Sequence, residues 1–317
     1  MTALRAAMAS APGKAILLGE HAVVYGRPAL AVPVTLVQAT ATFTPAPGDF
    51  WIEAPALRQR YRLAEAAPDD VLALAVNLAL QAAGGGAAAG VLRVESNIPL
   101  AAGLGSGAAV CTAVVRAMAL ALGHALDDAA VSALVYETEK RLHGTPSGID
   151  NTVVAYARPV YFVRGQAPVP LAVRRPLHLL IADTGRPSLT RETVGAVRAG
   201  YEQDPPRYTA LFDEIAGLVE RARAVIEGAA GEALGPLLTR NQALLAALGV
   251  STPALEALAA AALAAGAQGA KLSGGGGGGN LIALVTPGTA APVEAALRAA
   301  GAVRVWASRL GPEAAQA

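Results

Sequence analysis

Residues 12–26 constrain this chain most. Pro12 and Gly13 lead into Lys14 and a short apolar run, Ala15 to Leu18. Gly19, Glu20 and His21 follow, and a second apolar run, Ala29 to Val34, begins soon after Gly26. A short strand with a lysine at one end and a glycine–acid–imidazole corner at the other reads as a rigid support carrying site residues. Each residue also has a plainer reading. A lysine after Pro-Gly is often only solvated, and a lone histidine at a strand end is more often hydrogen-bonded structure than catalyst.

A second segment runs Pro99, Leu100, Ala101, Ala102, Gly103, Leu104, Gly105, Ser106, Gly107, Ala108, Ala109. It lies between a strand expected at Val91–Glu95 and a helix expected over about 107–122. Glycines let successive backbone N–H groups turn toward one anion, and the helix N-terminus adds positive potential. No Lys-Ser/Thr follows the glycines, so this is not a Walker loop. Gly103, Gly105 and Ala108 also fit a loose dinucleotide fingerprint. That reading needs a second strand ending in an acid, whereas Asp127 and Asp128 follow His124 and start a helix. The plain alternative is a tight strand–helix turn with no ligand.

A third segment is Lys271, Leu272, Ser273 and six glycines, Gly274 to Gly279, then Asn280 and the apolar run Leu281 to Val285. A glycine run is usually a flexible linker. Here it is read as joining a helix directly to a strand within a dense apolar region, which favours a close-approach backbone segment.

The fourth segment spans Glu139 to Asp150. On the helix expected from Asp128, the residues Val131, Leu134, Val135 and Leu142 mark a buried face, and Glu139 lies on or beside it. A buried carboxylate needs a partner, and a metal ion is one. A nearby Arg or Lys is an equal alternative on spacing alone. Pro146, Ser147 and Gly148 form a turn that sets Asp150 at the start of the next segment; alone, Asp150 could be a cap. Thr190 could likewise be a helix N-cap.

Composition narrows the class. The 317 residues are 54% hydrophobic and 15% charged, with net charge +1. Such balance speaks against a broad nucleic-acid surface. The best spanning candidate, Ala108 to Leu122, is shorter than the ~20 residues a bilayer needs and carries Arg116, so no membrane partner is expected. Met1 to Ser10 shows no signal-peptide core, and a cytoplasmic enzyme is expected. The single cysteine, Cys111, excludes an intrachain disulfide framework. His21, His124, His143 and His178 lack zinc-ligand spacing.

The first half mixes strands and helices. A strand pair is expected over Ala31–Phe43, short strands at Phe50–Glu53 and Tyr61–Leu63, and helices over Val71–Ala83 and from Asp127–Asp128 to about Leu142. Gly84 to Gly86 end the first of these helices. His143 to Asp150 reads as a loop. After a proline-bearing linker at 164–176, the second half reads as an α+β domain: strands at 177–183, 280–285 and 302–307 with helices between. Domain limits of 1–174 and 175–317 follow.

These motifs, in this order, resemble the superfamily of small-molecule kinases acting on galactose, homoserine, mevalonate and phosphomevalonate. The segment from Pro12 to Val32 is most similar to the first motif of the mevalonate-specific branch, and His143 to Asn151 to its aspartate loop. The resemblance implies an α+β two-domain fold: an N-terminal domain like ribosomal protein S5 domain 2 and a ferredoxin-like C-terminal domain. It implies ATP between them with its phosphates under residues 99–109 (Pro99, Ala102, Gly103, Leu104, Gly105, Ser106, Gly107, Ala108), Mg²⁺, mevalonate as acceptor, and a homodimer. It implies Asp150 and Lys14 as the catalytic pair, Glu139 as magnesium ligand with Ser106 assisting, and Glu20, His21 and Thr190 beside the substrate. Two positions depart from the family. Its loop usually carries a second, magnesium-binding serine where this chain has Gly107. Its third motif usually has alanine and cysteine where this chain has Gly275 and Asn280. The rival is another kinase of the superfamily, such as one acting on phosphomevalonate; a phosphorylated acceptor would want added basic residues, of which Arg191 is the evident candidate.

Overall fold

The structure is a computed structural model that describes residues 4–85, 88–99, 102–144 and 146–312. Gly86, Leu100, Ala101 and Thr145, which belong to expected turns and motifs, lie outside the described residues. The chain divides into two units. One comprises Met1–Lys14, Pro33–Pro99 and Gly105–Ala157; the other comprises Ala15–Val32, Leu100–Leu104 and Arg158–Ala317.

Strands β1 (Ala7–Leu18) and β2 (Ala29–Pro45) pair and run from one unit into the other. β1 is twelve residues long, so Lys14 sits within it rather than at its end, and Pro12–Gly13 are strand residues instead of a turn. β2 is one strand where a pair was expected: no Gly, Asn or Asp interrupts Thr35–Thr44, so nothing turns the chain.

In the first unit, β2, β3 (Phe50–Ala54), β4 (Gln59–Arg62) and β5 (Gly90–Ser96) form a sheet in the order β4-β3-β5-β2. β3 and β5 run parallel. Phe43 and Phe50 stack with centroids 5.6 Å apart inside its core. Among its described residues this unit carries the α-helices α1 (Val71–Ala82), α2 (Ser106–Ala121), α3 (Asp128–His143) and α4 (Ile149–Tyr156). Asp70 caps α1 through Leu72 and Ala73 N–H, and Asp127 caps α3 through Ala130 N–H. α2 is buried nearly all round, and its alanines let α1, α3 and α4 approach closely. α4 was not expected, because its Ile, Thr and Val content imitates strand or loop; Gly148 at φ 91° starts it.

In the second unit, the first residues of β2 pair with β6 (Val160–Phe162), which pairs with β7 (Val169–Pro170) inside the expected linker. β8 (Leu177–Asp183) is followed by α5 (Thr190–Gln203), α6 (Pro205–Ile226), α7 (Leu234–Ala247) and α8 (Pro253–Ala264). Then come β9 (Gly269–Ser273), β10 (Asn280–Val285), α9 (Ala290–Ala299) and β11 (Arg304–Leu310). The antiparallel order β11-β8-β10-β9 is the ferredoxin-like arrangement. β9 was missed, so the glycine run joins two paired strands rather than a helix and a strand. A fully buried lysine in a five-residue strand hides the apolar pattern that would have revealed it.

Candidate active site

Within the first unit, β1, α3 and the starts of α2 and α4 bring Lys14, Glu139, Gly107 and Asp150 together. Lys14 Nζ lies 3.0 Å from Asp150 Oδ2. The lysine side chain is 4% exposed and the aspartate 30%, so the pair is rooted on the lysine side and open on the carboxylate side. Asp150 occupies the first turn of α4, where a negative charge suits the helix dipole. Its neighbour Asn151 ties α4 to α3 by donating to the Ser132 carbonyl at 3.0 Å and to its hydroxyl at 2.9 Å.

Glu139 is buried on α3, on the face it shares with Val131 and Val135. Leu142, expected on that face, is 39% exposed because the helix is about to end there. Burial foremost, with the Asp150 charge adding to it and Lys14 opposing, pushes the Glu139 carboxyl up to about 8. Two carboxyl groups sharing one lysine form a site whose charge a further cation would balance. Among the described residues no group of three or more His, Cys, Asp or Glu could hold a metal ion. Mg²⁺ is compatible with that poverty, since it usually takes one or two carboxylates and completes its shell with waters and phosphates.

α2 begins at Ser106 with no side-chain cap, so its first N–H groups are not satisfied that way. Gly103 and Gly105 have φ of 81° and 71°. A Cβ at position 107 would meet Leu142 Cδ1 at 3.0 Å and Glu139 Oε1 at 3.6 Å. The Glu139 carboxylate therefore lies against the first turn of α2. Pro99 is half-buried, and Ala108 is buried in α2.

Within the second unit, a second cluster forms around the glycine run. His21 sits at φ 60°, and its Nε2 lies 2.9 Å from the Gly275 carbonyl oxygen. Burial lowers the His21 ring to about 4, so it is neutral near pH 7. A Cβ at position 275 would come within 2.6 Å of Thr190 Oγ1, which places the Thr190 hydroxyl against the same glycine. Thr190 is the first residue of α5, and Leu189 holds the cap position, so Thr190 is not the cap. Ser188 Oγ lies 3.1 Å from Thr190 Oγ1 and donates to the Gly276 carbonyl at 3.2 Å. The run is a close-approach segment: Cβ atoms at 276 and 278 would fall 2.2 Å from Val250 O and 2.4 Å from Pro187 O.

Ala102, Gly103 and Leu104 also belong to this unit. Asn280, standing where the family usually has cysteine, donates to the Ala102 carbonyl. Glu20 is 1% exposed and is paired with Lys271, which is fully buried; Asn241 Nδ2 donates to its other oxygen at 3.2 Å. Lys271, Asn241 and Asn280 were given no role from sequence. The one available signal was a lysine set in an apolar stretch just before the glycines.

The sequence matches the family described as GHMP kinases N terminal domain over residues 69–158, and GHMP kinases C terminal over residues 223–303. It is 35% identical to a mevalonate kinase of Pyrococcus horikoshii over 93% of both chains. It is 36% identical to a mevalonate kinase of Pyrococcus abyssi, over 94% of this chain and 93% of that one. Its structure is similar to that of L. major mevalonate kinase in complex with R-mevalonate, with TM-score 0.81, 26% identity and 97% of each chain covered.

Proposed function

We propose roles for these residues on the premise that the chain belongs to the GHMP kinases and, among them, to the mevalonate kinase family: it transfers the γ-phosphoryl group of ATP to the 5-hydroxyl of mevalonate. The observation that carries the catalytic assignment is the Lys14–Asp150 pair, rooted on its lysine side and open on its carboxylate side, beside the uncapped start of α2.

Phosphoryl transfer needs positioning and charge neutralisation more than covalent help from the protein. Asp150 orients the acceptor hydroxyl and takes its proton as that oxygen bonds to the γ-phosphorus and the bond to the ADP oxygen breaks. Lys14 keeps the carboxylate in place and offsets negative charge on the moving group. Gly103 to Ala108, with Pro99 and Ala102 at the entry, give the phosphates N–H donors and the α2 dipole. Glu139, assisted by Ser106, would hold Mg²⁺. That ion supplies neutralisation of phosphate charge, and the raised Glu139 carboxyl in a site of few donors supports the fit. His21 and Thr190 meet the acceptor, with Glu20 behind them.

Domain limits of 1–174 and 175–317 remain our working division at the level of sequence. The two family matches fall on either side of that cut, although residues 15–32 and 158–174 group with the second unit. A cytoplasmic homodimer without nucleic-acid or membrane partners completes the proposal; no helix of the described residues is long and apolar enough to cross a membrane.

ADP release with Mg-ATP across mevalonate, phosphomevalonate, galactose and homoserine tests the reading. Mevalonate should be turned over fastest. Faster turnover of phosphomevalonate or a sugar would overturn the acceptor while leaving the kinase class.

A further inference from the structure

Acceptors around the Lys271 ammonium include Glu20 Oε1, the Leu272 carbonyl and, at 3.4 Å, the Ile16 carbonyl. Two residues along the same face of β9, Ser273 Oγ accepts from Ile16 N–H at 2.9 Å and donates to the Ile16 carbonyl at 3.1 Å. Side chains of β9 thus grip the backbone at Ile16 and the carboxylate at Glu20, and Asn241 from α7 holds the second carboxylate oxygen. Lys271, Glu20 and Asn241 are each at most 1% exposed.

A buried ion pair of this kind contributes little net stability compared with apolar residues of the same volume; its strength is geometric. The residue that follows Glu20 is His21. His21 adopts φ 60° and ψ −48°, which a side-chain-bearing residue keeps only when its surroundings impose it. Its Nε2 faces the Gly275 carbonyl, and a carbonyl can only accept, so Nε2 carries the hydrogen. In the neutral ring Nδ1 is then a lone-pair acceptor.

We propose that Lys271 is a positioning residue for the acceptor: through Glu20 it holds His21 against Gly275 in one tautomer, leaving Nδ1 to accept a hydrogen bond from an acceptor hydroxyl. Glu20 accordingly acts through this pair and does not touch the substrate. This assignment rests on the kinase reading above. It predicts selection for a hydroxyl rather than a carboxylate at His21, because a neutral acceptor nitrogen repels an anion.

The test is the double variant Glu20→Gln/Lys271→Met, which removes both charges and leaves neither unpaired. We expect it to fold and its kcat and KM for ATP to stay near wild type. Its KM for mevalonate should rise about tenfold, the loss of roughly one hydrogen bond. Long-range ¹H–¹⁵N spectra should show His21 as a single Nε2–H tautomer in the wild type and as a mixture in the variant. A folded double variant with wild-type mevalonate KM and an unchanged His21 tautomer overturns the proposal. Should the double variant not fold, Asn241→Ala decides, since it loosens Glu20 without unpairing the lysine: a raised mevalonate KM supports the proposal and an unchanged one overturns it. A wild type that does not phosphorylate mevalonate breaks the functional reading instead, and the tautomer measurement still reports on Lys271.

Discussion

A methyl group at position 105 would lie 2.7 Å from Cγ of Lys14 and 3.2 Å from its Cε. The glycine of the second motif is the space into which the lysine of the first motif packs. Gly105→Ala therefore carries two penalties. Its φ of 71° costs an L-residue about 1–2 kcal/mol, and the new carbon displaces the lysine stem. Displacing a catalytic group by an ångström can lower turnover about 10²-fold, and we expect a kcat loss of that order with a modest fall in Tm. A lower Tm with unchanged kcat would mean that the glycine serves backbone conformation alone.

Position 107 lies inside α2 and has no left-handed φ, so a side chain is allowed there. The tight neighbour, Leu142 Cδ1, is the end of a partly exposed side chain that can move. Gly107→Ser should keep its melting temperature. With its hydroxyl beside Glu139, the variant should need less free Mg²⁺ for half-maximal activity. A markedly lowered Tm would show that Leu142 cannot yield.

Glu139 gives a pH prediction whose sign follows from its raised carboxyl. Between the unfolded value near 4.5 and the folded value of about 8, the native state binds more protons than the unfolded state. Stability contributed at this site therefore falls as pH rises through that window. Glu139→Gln removes the penalty. Without divalent cation, its Tm gain over wild type should be small at about pH 5 and larger at about pH 8. The same variant should need more Mg²⁺ and turn over more slowly. A Tm difference that does not grow with pH, together with an unchanged Mg²⁺ profile, would make Glu139 a structural carboxylate.

The strongly periodic helices and the apolar central strands were legible because their side-chain patterns survive without tertiary context. β9 and α4 were not. In β9 a buried charge, Lys271, replaces an apolar residue because Glu20, far away in sequence, neutralises it. In α4 a run of β-branched residues is held helical by Gly148 and by the bonds from Asn151 to Ser132. The motif residues were legible as types, and the alternatives left open for each needed geometry. Thr190 could have been a cap and stands one residue past it. The glycine run could have been a linker and instead lies against the backbones of Val250 and Pro187. Glu20 was placed beside the substrate by resemblance, and its partner Lys271, 251 residues away, could be seen only in the fold.

The central claim is that Asp150 receives the proton of the acceptor hydroxyl while Lys14 holds it, and turnover of Asp150→Asn tests it most directly. The variant keeps the shape of the side chain and removes its basicity. With saturating mevalonate and Mg-ATP, the account predicts kcat lower by about 10²–10⁴-fold, with the KM for ATP and the melting temperature close to wild type. Near-normal turnover in Asp150→Asn would contradict it.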